Sequence, residues 1–159
     1  MNSSDVHRLG FDEDSTDPIN FVETLIMSLS PFSAHEVLVD GVRYKTAEHA
    51  YHALRMLPKA RAEIMSAASP IMAWQIAQLC KDKNLLLPAH DKDAVMEKIF
   101  RAKLEQHADV QDILLQTKHR DLVKIFATDY YWGTGADGTG ENKMGVLWMK
   151  LRDEMQDNN

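Results

Sequence analysis

Residues 37 to 57 read VLVDGVRYKTAEHAYHALRML, a stretch that joins a strand signal to a helix signal. Asp40 and Gly41 supply the two residues of positive φ that a type I′ turn needs between alternating β-forming residues, so we predict a short hairpin here. Thr46 has the side chain of a helix N-cap, and we predict that it opens a helix from about Ala47 to Leu57.

Further helix starts follow toward the C-terminus. Pro58 fits the first turn of a short helix, because the N–H that proline lacks has no intrahelical partner there. Ser69 and Pro70 open another helix in the same way. Asp91 is expected to cap a longer helix that ends near Gln106.

Apolar residues recur at helical spacing in three segments. The helix after Asp91 carries Val95, Ile99 and Ala102 on one stripe, and Asp109 is expected to cap a helix with Val110, Ile113 and Leu114. The C-terminal stripe consists of Met144, Leu147, Trp148, Leu151 and Met155. The predicted fold is mainly α, multihelical, with a small β-hairpin in a single compact domain.

Length and composition predict how the chain is organised. At 159 residues and 45% apolar content, it fits one domain with one core. Residues 1–17 are rich in Ser and Asp and bury little apolar surface, so we predict a flexible acidic segment there. The domain is expected to cover residues 18–156.

Charge and cysteine content exclude several classes of protein. The formal net charge of −6 disfavours general nucleic-acid binding, because such a surface repels phosphate backbones. No run of apolar residues is long enough to span a bilayer, and no secretory signal is evident. The single cysteine, Cys80, has no internal disulfide partner, so we expect a cytoplasmic protein that does not bind membranes.

The first group of candidate functional residues lies on the helix after Thr46. Helical spacing places Glu48, Tyr51, His52 and Arg55 on one face, with His49 about 100° away. A carboxylate at the mouth of a cleft is suited to general base catalysis or to stabilising a cation. The alternative is that Glu48 only satisfies the helix start.

The Glu-His-x-x-His pattern in the same helix also resembles a metal motif. Zinc-binding helices usually place two histidines at i and i+4, whereas His49 and His52 are at i and i+3. We therefore expect no metal ion here.

The second group lies in residues 129–145, DYYWGTGADGTGENKMG. Gly133, Gly135 and Gly138 form Gly-x-Gly-x-x-Gly, but a dinucleotide fingerprint needs a βαβ unit that the remaining residues cannot supply. We expect instead a glycine loop whose backbone approaches a ligand, framed by Asp129 and Trp132.

Two further expectations concern the end of this loop. Asn142 and Lys143 open the last helix, whose free N–H groups suit an anion. The alternative for the whole segment is a tight connection with a packed tryptophan.

Together the two groups match the needs of glycoside cleavage. The reaction passes through an oxocarbenium-like transition state that carboxylates stabilise, and a positioned water completes it. An aromatic face suits a departing heterocycle. Glu48, Asp129, Trp132 and the glycine loop are the parts that such a reaction needs, and the glycosidase hypothesis requires them to converge around one sugar, which residue spacing does not show.

The chain resembles the NADAR family of YbiA-like N-glycosidases from about Ile19 to Arg152. The helix-opening motif is matched by Tyr44, Thr46, Glu48, His49, Tyr51 and Ala53. The middle of the family pattern is matched by Ser69, Pro70, Ala73, Met96, Ala102, Lys103, Glu105, Gln106 and His107. The C-terminal signature is matched by Leu114, Leu115, Thr117, Leu122, Val123, Asp129, Trp132, Gly133, Gly135, Gly138, Gly140, Asn142, Gly145, Met149 and Arg152.

This resemblance implies metal-independent hydrolysis of an N-glycosidic bond, with no cofactor. The implied substrates are a ribosylamino-pyrimidine phosphate of riboflavin biosynthesis or ADP-ribosylated guanine, free or in nucleic acid. Glu48 would position or deprotonate the water, Asp129 would stabilise the sugar cation, and Trp132 would stack on the base or ribose. The expected substrate contacts are Phe32, Lys45, His49, Tyr51, His52, Arg55, Gly133, Gly135, Gly138 and Asn142.

Lys45 has a second possible role, as an amine that attacks C1 of the sugar to form a Schiff base. The alternative is an exposed lysine at a strand end, because activation needs desolvation of the amine.

The sequence departs from the family pattern at Pro31, Arg55, Gln78, Pro88 and Lys124. Pro31 replaces an amide side chain, and Gln78 stands where a phosphate-binding cation is expected. These two changes support an alternative function, a weak or inactive module that binds ADP-ribose or a nucleotide.

A third possibility is an interaction surface on the Met-rich C-terminal helix. Met144 and Met155 lie on its apolar stripe, which favours core packing instead.

Overall fold

The computed structural model describes residues 14–22 and 24–158. The elements in chain order are β1 (Ile19–Asn20), a 3-10 helix (Thr24–Leu29), β2 (Val37–Val39), β3 (Val42–Tyr44), α1 (Ala47–Leu54), α2 (Pro58–Ser66), α3 (Pro70–Asp82), α4 (Lys92–Gln106), α5 (Ala108–Gln116), β4 (Leu122–Val123) and α6 (Lys143–Asp157). The prediction of a mainly helical fold with a small β-hairpin is confirmed.

The chain folds into two units, named here by their place in the sequence. The central unit is Pro31–His107, and the terminal unit joins Met1–Ser30 to Ala108–Asn159. Of the segment predicted to be flexible, residues 1–13 lie outside the described residues. The division into a flexible segment and one domain over residues 18–156 stays a prediction.

The predicted hairpin of the central unit is confirmed. β2 and β3 pair antiparallel with Val39 opposite Val42, and the turn residues Asp40 and Gly41 have φ of 51° and 80°. These two left-handed residues match the right-handed twist of the strands, as a type I′ turn requires.

The first helix ends earlier than predicted. α1 stops at Leu54 instead of Leu57, because Met56 forms a β-bridge with Leu86 and the Leu57 N–H donates to the carbonyl of Leu85 at 2.8 Å. Pro58 then begins α2, and the residue before a proline disfavours helical backbone.

The other helix starts follow the sequence signals closely, with one exception. Ser69 Oγ accepts the N–H of Met72, and Asp91 Oδ1 accepts those of Asp93 and Ala94. Asp109 does not cap its helix: α5 begins at Ala108, so this carboxylate lies in the first turn, where the helix dipole still favours it.

The core face of α4 differs from the predicted stripe. Ile99 is buried, but Val95 and Ala102 are only partly buried. The buried residues are Met96, Ile99, Phe100, Lys103 and Leu104. The ammonium of Lys103 belongs to this buried face and donates to Ser33 Oγ at 2.6 Å, so the pattern of apolar residues alone missed it.

In the terminal unit, β1 and β4 form a parallel pair, with Ile19 opposite Leu122. Two-residue strands carry no usable periodicity, and this pair was not predicted. The apolar stripe of α6 is confirmed for Met144, Leu147, Trp148 and Leu151, which are buried, whereas Met155 is only partly buried. Trp148 Nε1 donates to the carbonyl of Leu29 at 2.8 Å.

Across the described residues, no helix has the combination of length and apolar composition that crossing a membrane requires.

Candidate functional site

The first turn of α1 holds Glu48 in a nearly buried position. Thr46 caps the helix, and its Oγ1 accepts the N–H of His49 at 3.2 Å. The Glu48 N–H donates to the carbonyl of Pro31 at 3.0 Å, so the helix start is satisfied without the Glu48 side chain. This observation argues against a purely capping role for Glu48, which is 8% exposed.

His52 lies one turn further along α1 and binds the Glu48 carboxylate. Its Nε2 is 2.6 Å from Glu48 Oε1, and because a carboxylate accepts, Nε2 carries the proton. Nδ1 of His52 is buried and has no hydrogen-bond partner among the described residues. Glu48 Oε2 likewise has no protein donor there, so one carboxylate oxygen is oriented and the other is available to a ligand.

Tyr51 and Arg55 continue the same helix face. The Arg55 guanidinium lies over the Tyr51 ring, 4.8 Å from its centroid, and Arg55 Nε donates to His90 Nε2 at 3.0 Å. His90 Nδ1 donates in turn to the carbonyl of Leu87 at 2.9 Å. The predicted shared face of Glu48, Tyr51, His52 and Arg55 is thereby confirmed as a set of side-chain contacts.

Sequence reasoning missed His90, and also Lys81 in the last turn of α3. Burial lowers the pKa of the Lys81 ammonium, and the charges of Arg55 and Lys92 lower it further, while Glu48 raises it. Neither residue belongs to a motif, and both come from segments distant in sequence from α1, so only the folded chain identifies them.

His49 points away from this face and joins α1 to the end of α2. Its Nε2 donates to the carbonyl of Ala67 at 3.0 Å, and its Nδ1 accepts the hydroxyl of Thr46 at 2.7 Å. Burial lowers the pKa of His49, which keeps the ring neutral in this pair of bonds. Both ring nitrogens are therefore occupied within the protein.

Lys45 is exposed and follows β3 directly. Its Nζ donates to the carbonyls of Ser66 and Ala67 at 3.2 and 2.9 Å, at the C-terminal end of α2. A cation there complements the helix dipole, which agrees with the structural interpretation of Lys45. Phe32 is 40% exposed and follows Pro31, whose carbonyl accepts from Glu48.

In the terminal unit, Asp129 is held at both carboxylate oxygens. Lys124 Nζ donates to Oδ2 at 2.7 Å, and the N–H groups of Tyr131 and Trp132 donate to Oδ1 at 3.2 and 2.9 Å. Burial opposes ionisation, but these hydrogen bonds and the charge of Lys124 lower the pKa of Asp129. Asp129 is thus a fixed negative charge that also organises the loop.

The glycine loop after Trp132 closes on its own backbone. The Gly140 N–H donates to Thr134 at 2.7 Å, and the Asn142 N–H donates to Gly133 at 2.9 Å. A Cβ at Gly133 would lie 2.8 Å from the Lys124 carbonyl oxygen, and one at Gly140 would collide with the backbone of Gly133 and Thr134. These glycines serve close backbone packing within the loop.

Gly135 and Gly138 have positive φ, 71° and 78°. A Cβ at Gly135 would collide with the Tyr130 ring, whereas one at Gly138 would meet no atom within 4 Å. Of the three glycines predicted to contact a ligand, Gly138 is therefore the one whose surroundings have space for a ligand.

The start of α6 differs from expectation. The N–H groups of Lys143 and Met144 donate to the carbonyls of Tyr131 and Trp132, both at 3.1 Å, so they are not free for an anion. The Asn142 side chain is also engaged: Oδ1 accepts from the Lys124 N–H and Nδ2 donates to Leu122, both at 3.0 Å. The helix opens at Asn142 as predicted, but it closes a loop and offers no anion site from these groups.

Trp132 is partly buried and packs edge-on against Tyr131, with ring centroids 5.0 Å apart. Lys143 Nζ lies 5.1 Å from the centroid of the Tyr131 ring. In this unit the structure brings together Asp129, Trp132, the glycines and Asn142; in the central unit it brings together Glu48, Tyr51, His52 and Arg55. A common site for Glu48 and Asp129 stays a prediction.

Comparison with known proteins identifies the family. The model of the family described as the NADAR domain matches residues 16–156 of this chain. The chain belongs to the NADAR family. It is 38% identical over 143 residues to the N-glycosidase YbiA of Escherichia coli K12, covering 86% of this chain and 88% of that protein.

Other relatives and a solved structure agree with this assignment. The chain is similar to an N-glycosidase of Nostoc punctiforme, at 31% identity over 80% of this chain and 84% of that one. It also resembles the chloroplastic riboflavin biosynthesis protein PYRR of Zea mays, at 30% identity over 88% of this chain and 25% of the maize protein. The NMR structure of E. coli YbiA superimposes with a TM-score of 0.80 at 33% identity, over 96% of this chain and 92% of that one.

Proposed function

We propose that this NADAR protein is an N-glycosidase that hydrolyses the N-glycosidic bond of a nucleotide-like substrate. The observation that carries the proposal is the Glu48 carboxylate. It is nearly buried, its backbone N–H is already satisfied by Pro31, and His52 holds one of its oxygens. Such a carboxylate is oriented and still has an oxygen available for a water molecule.

In the proposed reaction, Glu48 takes a proton from the attacking water. The water oxygen forms a bond to C1 of the sugar, and the bond from C1 to the base nitrogen breaks with its electron pair going to the base. The departing nitrogen takes up a proton from solvent, and Glu48 releases the proton it took from the water, so the carboxylate is regenerated. The hydrogen bond from His52 Nε2 keeps the carboxylate in one orientation throughout.

Asp129 and Trp132 have supporting roles in this proposal. The lowered pKa of Asp129 supplies a constant negative charge for the sugar cation that develops in the transition state. Trp132 would stack on the base or the ribose. The remaining proposed contacts with substrate are the side chains on the Glu48 face of α1 and the open backbone at Gly138.

The names of the relatives support the proposed substrate class. YbiA and the Nostoc protein are named N-glycosidases, and PYRR is named for riboflavin biosynthesis. We therefore place a ribosylamino-pyrimidine phosphate first and ADP-ribosylated guanine second. We further propose that the reaction needs no metal ion and no cofactor. Glu48 would activate the attacking water, which is the task that a metal ion performs in metal-dependent hydrolases.

The test is incubation of the purified chain with a ribosylamino-pyrimidine 5′-phosphate and, separately, with ADP-ribosyl-guanosine. Free base is detected by chromatography over several hours, with and without EDTA. We expect release of base from one of the two substrates at the same rate in both conditions. Glu48→Gln should slow the release by about 10²-fold to 10⁴-fold, whereas Glu105→Gln, which changes an exposed carboxylate on α4, should leave the rate unchanged.

Three outcomes would contradict parts of the proposal. Binding of ADP-ribose without release of base would favour the binding-module alternative. A rate that EDTA abolishes would remove the claim of metal independence. A Glu48→Gln variant as active as the wild type would remove Glu48 from the mechanism.

A further inference from the structure

Beside Glu48, the central unit contains a group of cations that the proposed chemistry does not use. Arg55 is the C-cap residue of α1, Lys81 lies in the last turn of α3, and Lys92 is the first residue of α4. The segment after α3 is joined to Arg55, because the Leu87 N–H donates to the Arg55 carbonyl at 2.9 Å, and α1 packs against α3. In this arrangement the charges of Arg55, Lys92 and Glu48 act on the Lys81 ammonium. Two other cations and the Glu48 carboxylate therefore act on Lys81.

Arg55 is unusual because it is only 9% exposed. A buried guanidinium normally forms ion pairs or several hydrogen bonds. Here Nε donates to His90 and the planar group covers the Tyr51 ring, and within the described residues neither Nη1 nor Nη2 has an acceptor. His90 thereby fixes the orientation of the guanidinium while its two terminal nitrogens stay available to a ligand.

Lys81 also has a partly buried charged group that is available to a ligand. It is half-buried, and no hydrogen bond or ion pair engages its ammonium in the part of the chain that the structure describes. A cation that has lost part of its hydration without gaining a protein anion is stabilised when an anion binds. An arginine with two free nitrogens and a neighbouring ammonium match the tetrahedral oxygens of a phosphate group.

We infer that Arg55 and Lys81 form a phosphate-binding subsite next to Glu48, which anchors the phosphate of the nucleotide-like substrate. Lys92 adds positive charge, and His90 orients Arg55. The sequence predicted the loss of a phosphate-binding cation at Gln78; Lys81 lies three residues further along the same helix, nearly one turn away. That the phosphate belongs to the substrate rests on the proposed function, whereas the binding itself does not.

The experiment measures the affinity of the full chain for ribose 5-phosphate, with ribose and inorganic phosphate as comparison ligands, by isothermal titration calorimetry. Lys81→Gln removes the free ammonium without breaking a hydrogen bond. Lys83→Gln is the matched control, because it makes the same charge change at an exposed position two residues away. Lys81→Arg tests whether charge rescues binding.

We expect ribose 5-phosphate to bind more tightly than ribose. Lys81→Gln should weaken its binding by about tenfold to a hundredfold, as expected for loss of a charge-assisted hydrogen bond, while Lys83→Gln and Lys81→Arg change it by less than about threefold. With a phosphorylated substrate, Lys81→Gln should raise KM by a similar factor and leave kcat nearly unchanged.

Two results would overturn the inference: equal affinity of the wild type for ribose and ribose 5-phosphate, or equal weakening by Lys81→Gln and Lys83→Gln. The second would indicate general surface charge. If ribose 5-phosphate binds through Lys81 but no base is ever released, the subsite stands and the proposed hydrolysis fails. If base is released and Lys81→Gln changes neither affinity nor KM, the hydrolysis stands and the subsite fails.

Discussion

The two acidic residues proposed for the reaction are held in opposite ways. Glu48 lies on a regular helix, and within residues 14–22 and 24–158 its carboxylate has one hydrogen-bond partner, His52, at 2.6 Å. Asp129 lies in a loop and accepts from Lys124, Tyr131 and Trp132, so both of its oxygens are engaged. The helix positions Glu48 without using its carboxylate, whereas the loop depends on the carboxylate of Asp129 for its shape.

This difference indicates that Glu48 is suited to proton transfer and that Asp129 is suited to holding the loop in shape. A general base needs a free oxygen and a scaffold that does not require it, and α1 supplies both. A carboxylate saturated with hydrogen-bond donors is a poor proton acceptor, because each donor stabilises the ionised form, but it is a durable negative charge. Substitutions of the two residues should therefore affect rate and stability in different proportions.

The largest expected effect is on turnover. Glu48→Gln keeps an oxygen that can accept from His52, so we expect kcat to fall by about 10²-fold to 10⁴-fold with the free energy of unfolding nearly unchanged. Asp129→Asn should lower kcat by about tenfold to a hundredfold and also destabilise the protein by about 1–3 kcal/mol, because Lys124 loses its ionised acceptor.

Single-turnover kinetics and urea denaturation of both variants measure these two quantities. The proposed difference between the two carboxylates would be wrong if Asp129→Asn were as stable as the wild type, or if Glu48→Gln lost as much stability as Asp129→Asn.

A smaller effect is expected from the glycines that shape the Asp129 loop. In Gly140→Ala the new methyl group would collide with the carbonyl of Gly133, so we expect a loss of about 3 kcal/mol in the free energy of unfolding. Gly138→Ala is the control: its surroundings are open and only the positive φ is strained, which costs about 1 kcal/mol.

Urea denaturation ranks the two alanine variants. Equal stability of the two variants would show that backbone packing at Gly140 does not determine the conformation of the loop. It would instead favour a role of the glycines in ligand contact.

The smallest effects are on the pH dependence of stability. The pKa of His49 is lowered by burial in the folded state, so the unfolded chain binds more protons as pH falls below its ordinary value of about 6.5. Stability contributed by neutral His49 is therefore present above about pH 6.5 and declines as pH falls toward the lower folded pKa. His49→Gln should flatten the stability profile in this range, as measured by urea denaturation at a series of pH values.

The corresponding effect of Asp129 lies at more acidic pH. Its pKa is lowered in the folded state, so its contribution is complete above the unfolded value of about 4 and is lost as pH falls below it. Asp129→Asn should flatten the profile only there. A change in its slope near pH 6 would contradict the assignment of the two groups.

Local signals in the sequence predicted much of the fold because they act over a few residues. The Asp40–Gly41 turn and the caps at Thr46, Ser69 and Asp91 were predicted and are present. Contacts between distant segments were missed, as with the early end of α1, whose last predicted turn gives way to the bridge between Met56 and Leu86.

The same distinction between local signals and contacts of distant segments applies to the candidate site. The sequence by itself determined that Glu48, Tyr51, His52 and Arg55 share a helix face, since 3.6 residues per turn dictate that, and that Asp129 precedes a glycine loop. Only the tertiary structure decided which atoms are occupied and which are available. The Asp129 oxygens and the first N–H groups of α6 are occupied, whereas the terminal nitrogens of Arg55 and Lys81 have no partner among the residues that the structure describes. Availability depends on what the rest of the chain has already paired, and that pairing is made between segments that no local spacing connects.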